Sequence, residues 1–540
     1  MPHVPLKASL VATGILALCL GGCTRRETPA EEGIRTQTLL VGNAAEPADL
    51  DPDVINAFTD SQIAYALFEG LTTLDGKTSE AVPAAAERWD VSPDGTVYTF
   101  HLRPGARWSN GDPLTADDFA YSFQRILTPA FGAQYSYMLW PIRNAEAFNA
   151  GRIADFSQVG VKALDPRTLQ VTLEKPTPDL PAIASHTTWL PVPKTVVEKF
   201  GRMDEKGTKW TRPGNLVGNG AFTLSEWIPN GRISVVKNPL YWDAANTRLN
   251  KVVFFPFEKS ETEDLAFRSG QLHATYALPL SKVAGYKLHN PVDIRIDPIL
   301  STFYLFINTT RPPFDNVKLR LALSHAMDRE KLSRDINAGI YPAARCLTPP
   351  NCNGYTSRSQ VSDDFVLARR LLAEAGYPGG KGLPPIEVLS YNTETSLRML
   401  EAIQAMWLKE LGVRITIAQL EQKTLFQAGQ DKNYSISFSG WIADYPDPSS
   451  FLGTMVTGGG NNWAGWSNKE FDGLIAEASG TADNARRMEL FQKAEAVLVA
   501  NAPLVPLFYQ SSVYSISPAV RGWTTTLIGF HEFQRIWLEK

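Results

Sequence analysis

Residues 86–125 read AERWDVSPDGTVYTFHLRPGARWSNGDPLTADDFAYSFQR, and their pattern indicates the fold class. Val97–Leu102 alternates between apolar and polar residues directly after a turn at Asp94 and Gly95, which predicts a strand. Thr115 then precedes a helical pattern whose first turn is acidic, where the helix dipole favours negative charge. The stretch therefore predicts a strand followed by a helix, as in an α/β fold.

The rest of the chain extends this α/β pattern. The sequence before residue 300 predicts mainly strands and hairpins, and the sequence after it predicts regular strand–helix alternation. The later predicted strands are 303–307, 386–391, 415–420 and 434–441, and the later predicted helices are 315–336, 363–375, 396–411, 468–478 and 483–500. We therefore expect an α/β protein whose first half is richer in strands.

Composition excludes several classes of protein. Of the 540 residues, 44% are hydrophobic and 20% are charged, which is typical of a globular chain and not of a disordered or fibrous one. The net charge of −4 argues against a broad basic surface for nucleic acid. With only four cysteines, the chain is not a small disulfide scaffold.

The N-terminus has the pattern of an export signal. Lys7 precedes an apolar run over residues 8–20, which is too short to span a bilayer and has the length of a signal-peptide core. The run ends in Leu-Gly-Gly followed by Cys23, which resembles the bacterial lipoprotein signal. That resemblance implies cleavage before Cys23 and lipidation of its sulfur. An ordinary signal peptide and an uncleaved anchor are the alternatives.

Motifs that could indicate catalysis are incomplete. Residues 70–78 nearly match a phosphate-binding loop, but the spacing is one residue too long and favours a hairpin tip. Ser234 and Lys237 have the spacing of a penicillin-binding enzyme, but they lie on a predicted strand that points them to opposite faces. The seven histidines are scattered, without helical metal-ligand spacing. We therefore expect no catalytic site, no metal and no cofactor.

Cys346 and Cys352 lie in the loop-forming sequence ARCLTPPNCNG. Export makes disulfides possible, so we predict a local bond between these two residues. A metal site is a weaker alternative because no histidine lies nearby to complete a tetrahedral set.

Several stretches resemble the oligopeptide-binding proteins of bacterial ABC importers, within the peptide and nickel solute-binding family. The resemblance covers nearly all of the chain after the signal, and residues 86–125 carry its most diagnostic motif. Further matching stretches are 68–71, 217–222, 239–242, 313–329 and 440–451.

The resemblance implies the periplasmic-binding-protein fold of cluster C type. In this α/β fold two lobes are joined by two chain crossovers, close over ligand by hinge motion, and carry an extra subdomain in the first lobe. The implied division is 1–22 signal peptide; 23–36 flexible tether; 37–68, 195–300 and 512–540 main subdomain of the first lobe; 69–194 extra subdomain; 301–511 second lobe.

The resemblance also implies a ligand site. Asp444 matches the family's anchor for the α-amino group of a peptide, Trp441 matches a residue that lines a side-chain pocket, and Gly440 would let the ligand backbone approach closely. The other implied contacts are Tyr304, Asn392, Tyr135, Asn56, Phe58 and Arg398. For most of these positions, ordinary packing is the alternative interpretation.

Some positions depart from the family. Phe438 and Asn337 stand where peptide receptors place basic residues that meet the ligand's carboxylate, and Ser301 and Ile442 replace cysteines that face each other across the cleft. If Phe438 faces the cleft, a short peptide's carboxylate has no partner there, and burying it unpaired costs several kcal/mol. Longer or modified peptides, or pairing with Arg398, would resolve this.

These features predict a monomeric receptor, lipid-anchored to a bacterial membrane on the periplasmic or cell-surface side. It would capture oligopeptides and deliver them to the permease subunits of an ABC importer, without binding nucleic acid. The alternatives are a receptor for a murein peptide, an opine or a metal complex, and a lipoprotein that senses ligand. An enzyme is disfavoured.

Overall fold

A computed structural model describes residues 27–540, so the predicted signal peptide and Cys23 lie outside the described residues. Across residues 27–540, no helix combines the length and the apolar character that crossing a membrane requires.

The part of the chain before residue 300 builds a lobe with two four-stranded sheets, which we call lobe 1. One sheet has the order β1-β10-β9-β8 and the other the order β4-β5-β7-β6, where the strands are β1 (Thr38–Gly42), β2 (Thr72–Leu74), β3 (Ala81–Pro83), β4 (Ala86–Val91), β5 (Val97–Leu102), β6 (Val161–Asp165), β7 (Thr168–Thr172), β8 (Phe222–Ile228), β9 (Arg232–Lys237) and β10 (Lys251–Phe255). The helices of this part are α1 (Pro29–Thr36), α2 (Phe58–Leu67), α3 (Ala116–Leu127), α4 (Ala145–Asn149), α5 (Leu180–Ile183), α6 (Lys194–Phe200), α7 (Ser260–Arg268) and α8 (Leu280–His289).

The following part builds lobe 2 on one five-stranded sheet of order β13-β12-β14-β11-β15. Its strands are β11 (Ile294–Ile307), β12 (Ile386–Tyr391), β13 (Ile415–Leu420), β14 (Ile436–Ile442) and β15 (Leu504–Ser515). Its helices are α9 (Val317–His325), α10 (Arg329–Ile336), α11 (Phe365–Glu374), α12 (Glu394–Leu411), α13 (Gln422–Gln430), α14 (Ser449–Leu452), α15 (Lys469–Ser479) and α16 (Asn484–Asn501). The chain ends with the short pair β16 (Val520–Arg521) and β17 (Trp537–Leu538), which packs in the core of lobe 1.

Two long antiparallel strands connect the lobes. β11 and β15 pair along most of their length, and their lobe 1 ends lie where Ala274 bridges both Val41 of β1 and Ile516 just after β15. The two lobes are therefore joined through a continuous pair of strands, which is the geometry needed for hinge motion.

Two distant stretches of sequence meet in the core of lobe 1. The buried carboxylate of Glu69 accepts hydrogen bonds from the Tyr241 hydroxyl (2.5 Å) and the Trp242 indole nitrogen (2.7 Å). Burial raises the pKa of Glu69 to about 7, because few waters remain to solvate its charge. This contact fixes the end of α2 against the segment that follows β9.

Most predicted helices and strands agree with the structure within two residues, but the strand predicted over 303–307 is only the end of β11, which begins at Ile294. Strands β5, β12 and β13 have the predicted bounds, and β2 pairs with β3 across a turn, as the hairpin interpretation of residues 70–78 requires. The helix predicted over 315–336 is wrong in one respect. It is two helices, since α9 ends at His325 and Asp328 caps α10 through the Lys331 backbone nitrogen. The proposed subdomain boundaries remain predictions.

The predicted flexible tether over 23–36 is corrected for its described part. Residues 29–36 form α1, whose first turn is held by a capping box in which Thr28 and Glu31 exchange hydrogen bonds of 2.8 and 3.2 Å. The helix is attached to lobe 1 because the Ala30 carbonyl lies 2.9 Å from the His273 ring nitrogen. The polar composition of this stretch favoured a flexible tether, although Thr28 and Glu31 have the spacing of a capping box.

The predicted disulfide is absent from the structure, where Cys346 and Cys352 are buried free thiols. The Cys346 sulfur lies 3.1 Å from the Tyr509 hydroxyl and 3.3 Å from the Thr348 carbonyl. The Cys352 backbone instead exchanges hydrogen bonds of 3.0 and 2.9 Å with Tyr355. Each cysteine thus has its own local partners, and the prediction of a bond is wrong for this structure.

Candidate ligand site between the lobes

The segment after β14 carries Asp444 to the face of lobe 2 that meets lobe 1. Ala443 donates its backbone nitrogen to the Leu300 carbonyl of β11 (2.9 Å), which fixes the point where the chain leaves the sheet. The Asp444 backbone nitrogen donates to the Ser450 hydroxyl (2.9 Å), which closes the segment onto α14. The backbone that carries the Asp444 side chain is therefore fixed on both sides.

The Asp444 carboxylate has no cationic partner among residues 27–540. Its side chain accepts one hydrogen bond, from the Tyr137 hydroxyl of lobe 1 at 3.2 Å. Burial raises its pKa from 3.8 to about 7, and the Tyr137 hydrogen bond opposes only part of that rise. A buried carboxylate without a counter-charge is costly unless a cation joins it. The geometry is thus that of an incomplete ion pair.

Three tyrosines of lobe 1 lie near this carboxylate, and one of them, Tyr137, donates to it. The rings of Tyr135 and Tyr137 lie 5.4 Å apart, and Tyr135 stacks on His186 at 5.6 Å. Tyr65 donates its hydroxyl to the Ser185 carbonyl (3.1 Å). Burial first, and the Asp444 charge in addition, raise the pKa of all three tyrosines. Aromatic faces and hydroxyls around a carboxylate are suited to an ammonium ion.

Gly440 and Trp441 lie on β14 directly before this segment. A Cβ on Gly440 would lie 2.9 Å from the Phe303 ring, so the glycine makes room for that ring and not only for a ligand. Trp441 is partly buried against the lobe 2 core, and its indole nitrogen has no hydrogen-bond partner within the described chain. Trp441 therefore presents an unused donor beside the Asp444 segment.

Three of the remaining predicted contacts differ in how far they are exposed. Tyr304 is only 2% exposed and packs on Phe306 with ring centres 4.8 Å apart, so it is a core residue of lobe 2. Phe58 is partly buried and stacks on Phe530 at 4.4 Å. Asn56 is exposed and donates to the Gln134 side chain (2.7 Å), next to Tyr135. The structure thus brings Asn56, but not Tyr304, to the surface beside the tyrosines.

Asn392 and Arg398 lie on the exposed surface of lobe 2. Asn392 follows β12 and donates its backbone nitrogen to the Leu420 carbonyl (3.0 Å), and Arg398 lies in the second turn of α12. Within residues 27–540 the Asp444 side chain has Tyr137 as its hydrogen-bond partner, and neither Asn392 nor Arg398 contacts it. Their contact with ligand stays a prediction.

The two positions that depart from the family are both buried. Phe438 is 3% exposed and packs against Phe303 (5.6 Å) and Tyr391 (6.2 Å) in the lobe 2 core. Asn337 is fully buried, and within the described chain its carboxamide has no hydrogen-bond partner. Phe438 therefore does not leave an open, uncharged gap in the cleft, and neither position supplies a cation.

Sequence reasoning missed Tyr65 and Tyr137. Tyr137 follows Tyr135 by two residues, and this Tyr-Ser-Tyr spacing was a usable signal once Tyr135 had been chosen. Tyr65 lies within the apolar helix α2 and carries no distinguishing pattern. Among residues 27–540 no three His, Cys, Asp or Glu side chains form a group that could hold a metal ion.

Comparison with known proteins places this geometry in a family. The model of the bacterial extracellular solute-binding proteins, family 5, middle region, matches residues 80–463. The periplasmic oligopeptide-binding protein OppA of Salmonella typhimurium is 36% identical over 534 residues, which cover 96% of each chain.

Solved structures give the same result. The murein tripeptide-binding protein MppA of Escherichia coli superposes with a TM-score of 0.82 at 30% identity, covering 93% of this chain and 98% of that chain. OppA of Haemophilus influenzae in complex with the peptide RPPGFSPFR gives a TM-score of 0.80 at 30% identity, covering 94% and 99%. The fold is therefore the two-lobed periplasmic-binding-protein fold, and the chain belongs to the bacterial extracellular solute-binding proteins of family 5.

Proposed function

We propose that this protein captures oligopeptides between its two lobes and delivers them to an ABC importer. One observation carries the proposal, namely the Asp444 carboxylate, which lies between the lobes with Tyr137 as its hydrogen-bond donor and no cation beside it. The α-amino group of a peptide would supply the missing charge, and it is present in every free peptide whatever its sequence.

Closure of the lobes completes this site. Asp444 belongs to lobe 2 and the tyrosines belong to lobe 1, so an ammonium ion can contact both only when the lobes meet. A ligand favours the conformation in which it makes more contacts. Amine binding would therefore stabilise the closed form, which is the form that a receptor presents to a transporter.

The relatives support a peptide ligand and a periplasmic location, since the Salmonella protein is a periplasmic oligopeptide-binding protein. The structural match to a murein tripeptide-binding protein favours a murein peptide as the second candidate. Both ligand classes are peptides, so Asp444 alone does not separate them.

The membrane attachment is a separate part of the proposal. Cys23 follows two glycines at the end of the apolar leader, and we infer that its sulfur carries the lipid that tethers the receptor. The helix α1 begins only six residues after Cys23, so little free chain separates lobe 1 from the membrane.

Native mass spectrometry of the protein, purified without denaturation, tests the ligand class. We expect a series of co-purified masses that fragment as peptides with free amino termini. A single peptide mass that contains diaminopimelic acid would favour the murein peptide. A ligand without an amine would refute both candidates.

A further inference from the structure

A second contact between the lobes lies close to Asp444. Asp179 stands at the start of α5, a position where aspartate ordinarily caps a helix, yet its side chain makes no capping hydrogen bond. The carboxylate instead accepts from the Ser449 hydroxyl (3.1 Å) and lies 3.3 Å from the Arg487 guanidinium. Asp179 thus points across the lobe boundary instead of into its own helix.

The two sides of this contact belong to different cores. Leu180 and Ile183 anchor α5 in the core of lobe 1, whereas Leu490 and Phe491 anchor α16, which carries Arg487, in the core of lobe 2. The Asp179 side chain is only 10% exposed where the lobes meet. Opening the cleft would return this carboxylate to water and separate it from Arg487.

The lobe 2 partners also shape the segment that carries Asp444. Arg487 donates twice to the buried Asp447 (2.7 and 2.6 Å), and Asp447 accepts from the Ser449 backbone nitrogen (2.9 Å). Since the segment from Asp444 to Ser449 is continuous, Asp179 binds the same structural unit that presents the amine-binding carboxylate.

Arg487 already has a full bidentate partner within lobe 2, so its contact with Asp179 is additional and depends on closure. Burial and the neighbouring Asp447 carboxylate raise the pKa of Asp179 and so oppose part of its attraction to Arg487. The Arg487 contact and the Ser449 hydrogen bond together therefore give a modest closing force and not a permanent bond. It is therefore weak enough to break during each cycle of binding and release.

We propose that Asp179 is a positioning residue that fastens the closed lobes through Arg487 and Ser449 and thereby slows ligand release. The proposal rests on the proposed function in one respect only, which is that closure traps a ligand. Asp179 touches no predicted ligand position, so it would act by holding Asp444 opposite Tyr137.

The test compares Asp179→Asn with Glu146→Gln. The asparagine keeps the shape and an oxygen for Ser449 but removes the charge that faces Arg487. Glu146 is a matched control because it is an exposed acid of lobe 1 whose ion pair, with Arg152 at 3.2 Å, is local. Stopped-flow fluorescence would give association and dissociation rates for the probe peptide RPPGFSPFR, and small-angle scattering would give the radius of gyration without ligand.

We expect Asp179→Asn to raise the dissociation rate about tenfold with an unchanged association rate and unfolding midpoint, since loss of one charged contact acts mainly on release. Asp179→Glu should restore part of the slow release, and Glu146→Gln should match the wild type. Equal dissociation rates and equal radii in Asp179→Asn and the control would overturn the proposal. If the wild type does not bind the probe, the peptide proposal loses support, and the radius of the ligand-free variant alone decides whether Asp179 favours closure.

Discussion

Replacing Asp444 with asparagine should weaken ligand binding and strengthen the ligand-free fold at the same time. The substitution keeps the shape of the side chain and an oxygen that can accept from Tyr137, but it removes the buried charge. Opposite effects on affinity and stability are expected where a buried charge destabilises the ligand-free protein and is neutralised only by the bound ligand.

The stability effect follows from the pKa of Asp444. The folded value of about 7 exceeds the ordinary value of 3.8, so the folded protein binds more protons than the unfolded chain between these two values. Stability therefore falls as pH rises from about 4 to about 7, and the full penalty persists above pH 7. The shift corresponds to about 4 kcal/mol, which partial exposure reduces to roughly 1–2 kcal/mol. Asp444→Asn should remove this penalty at pH 8 and change little at pH 4.

The affinity effect has the opposite sign. Removing one partner of a buried, hydrogen-bonded charge pair costs about 3 kcal/mol, or roughly a 100-fold rise in Kd for a peptide with a free amine. An N-acetylated copy of the same peptide has no ammonium ion, so its already weak binding should change less than about threefold in the variant. The pair of peptides and the pair of proteins form a double-mutant cycle.

The pH dependence of ligand affinity is an independent test of the role of Asp444. Only ionised Asp444 attracts an ammonium ion, so the wild-type affinity should fall about tenfold per pH unit below pH 7, until the lower pKa of the complex is reached. Isothermal titration calorimetry in two buffers of different ionisation enthalpy would count the protons released on binding. A flat wild-type profile, or equal losses for the free and acetylated peptides, would refute Asp444 as the amine anchor.

Three further predictions concern other positions. Gly440→Ala should lower the free energy of unfolding by about 1–3 kcal/mol in denaturant titrations, because the new Cβ would meet the Phe303 ring; unchanged stability would contradict the packing. Peptide mapping after alkylation should find Cys346 and Cys352 modified only in denatured protein, since both thiols are buried and burial raises their pKa. A disulfide bond between the two residues in unreduced protein would contradict the structure. Cys23→Ser should release the protein from membranes in fractionation, and retention of the variant would refute lipidation at that residue.

Local patterns were sufficient to predict most of lobe 2. Strands such as β12 and β13 follow from short apolar runs bounded by turns, and α12 follows from helical periodicity ended by Gly412 in a left-handed conformation. The errors arose where a local signal was short. A capping box at Thr28 outweighed the polar composition that suggested a tether, and the break at Ala326 has no glycine or proline to mark it.

The Asp444 site was predictable only in part, since its two halves carry different kinds of signal. Asp444 lies in a motif that is readable along the chain, between a strand and a short helix. Tyr65, Tyr137 and Asp179 belong to the other lobe, and apart from the Tyr-Ser-Tyr spacing at Tyr137 none of them lies in a distinctive sequence pattern. Their importance comes from closure, which places them against a segment some three hundred residues away.

The same division would allow a single charge to serve as the recognition point of the proposed receptor. Asp444 is held by backbone contacts within lobe 2, and the tyrosines are held by packing within lobe 1, so neither half needs a ligand to keep its shape. What the ligand changes is the free energy of bringing the halves together, because the buried carboxylate is unfavourable without a cation and favourable with one. In the proposed closed state, Asp179 would add an attraction to Arg487 that does not depend on the ligand's identity. If Asp444 selects the amine and Asp179 strengthens closure, as proposed, the two properties reside in different residues, and each can change without the other.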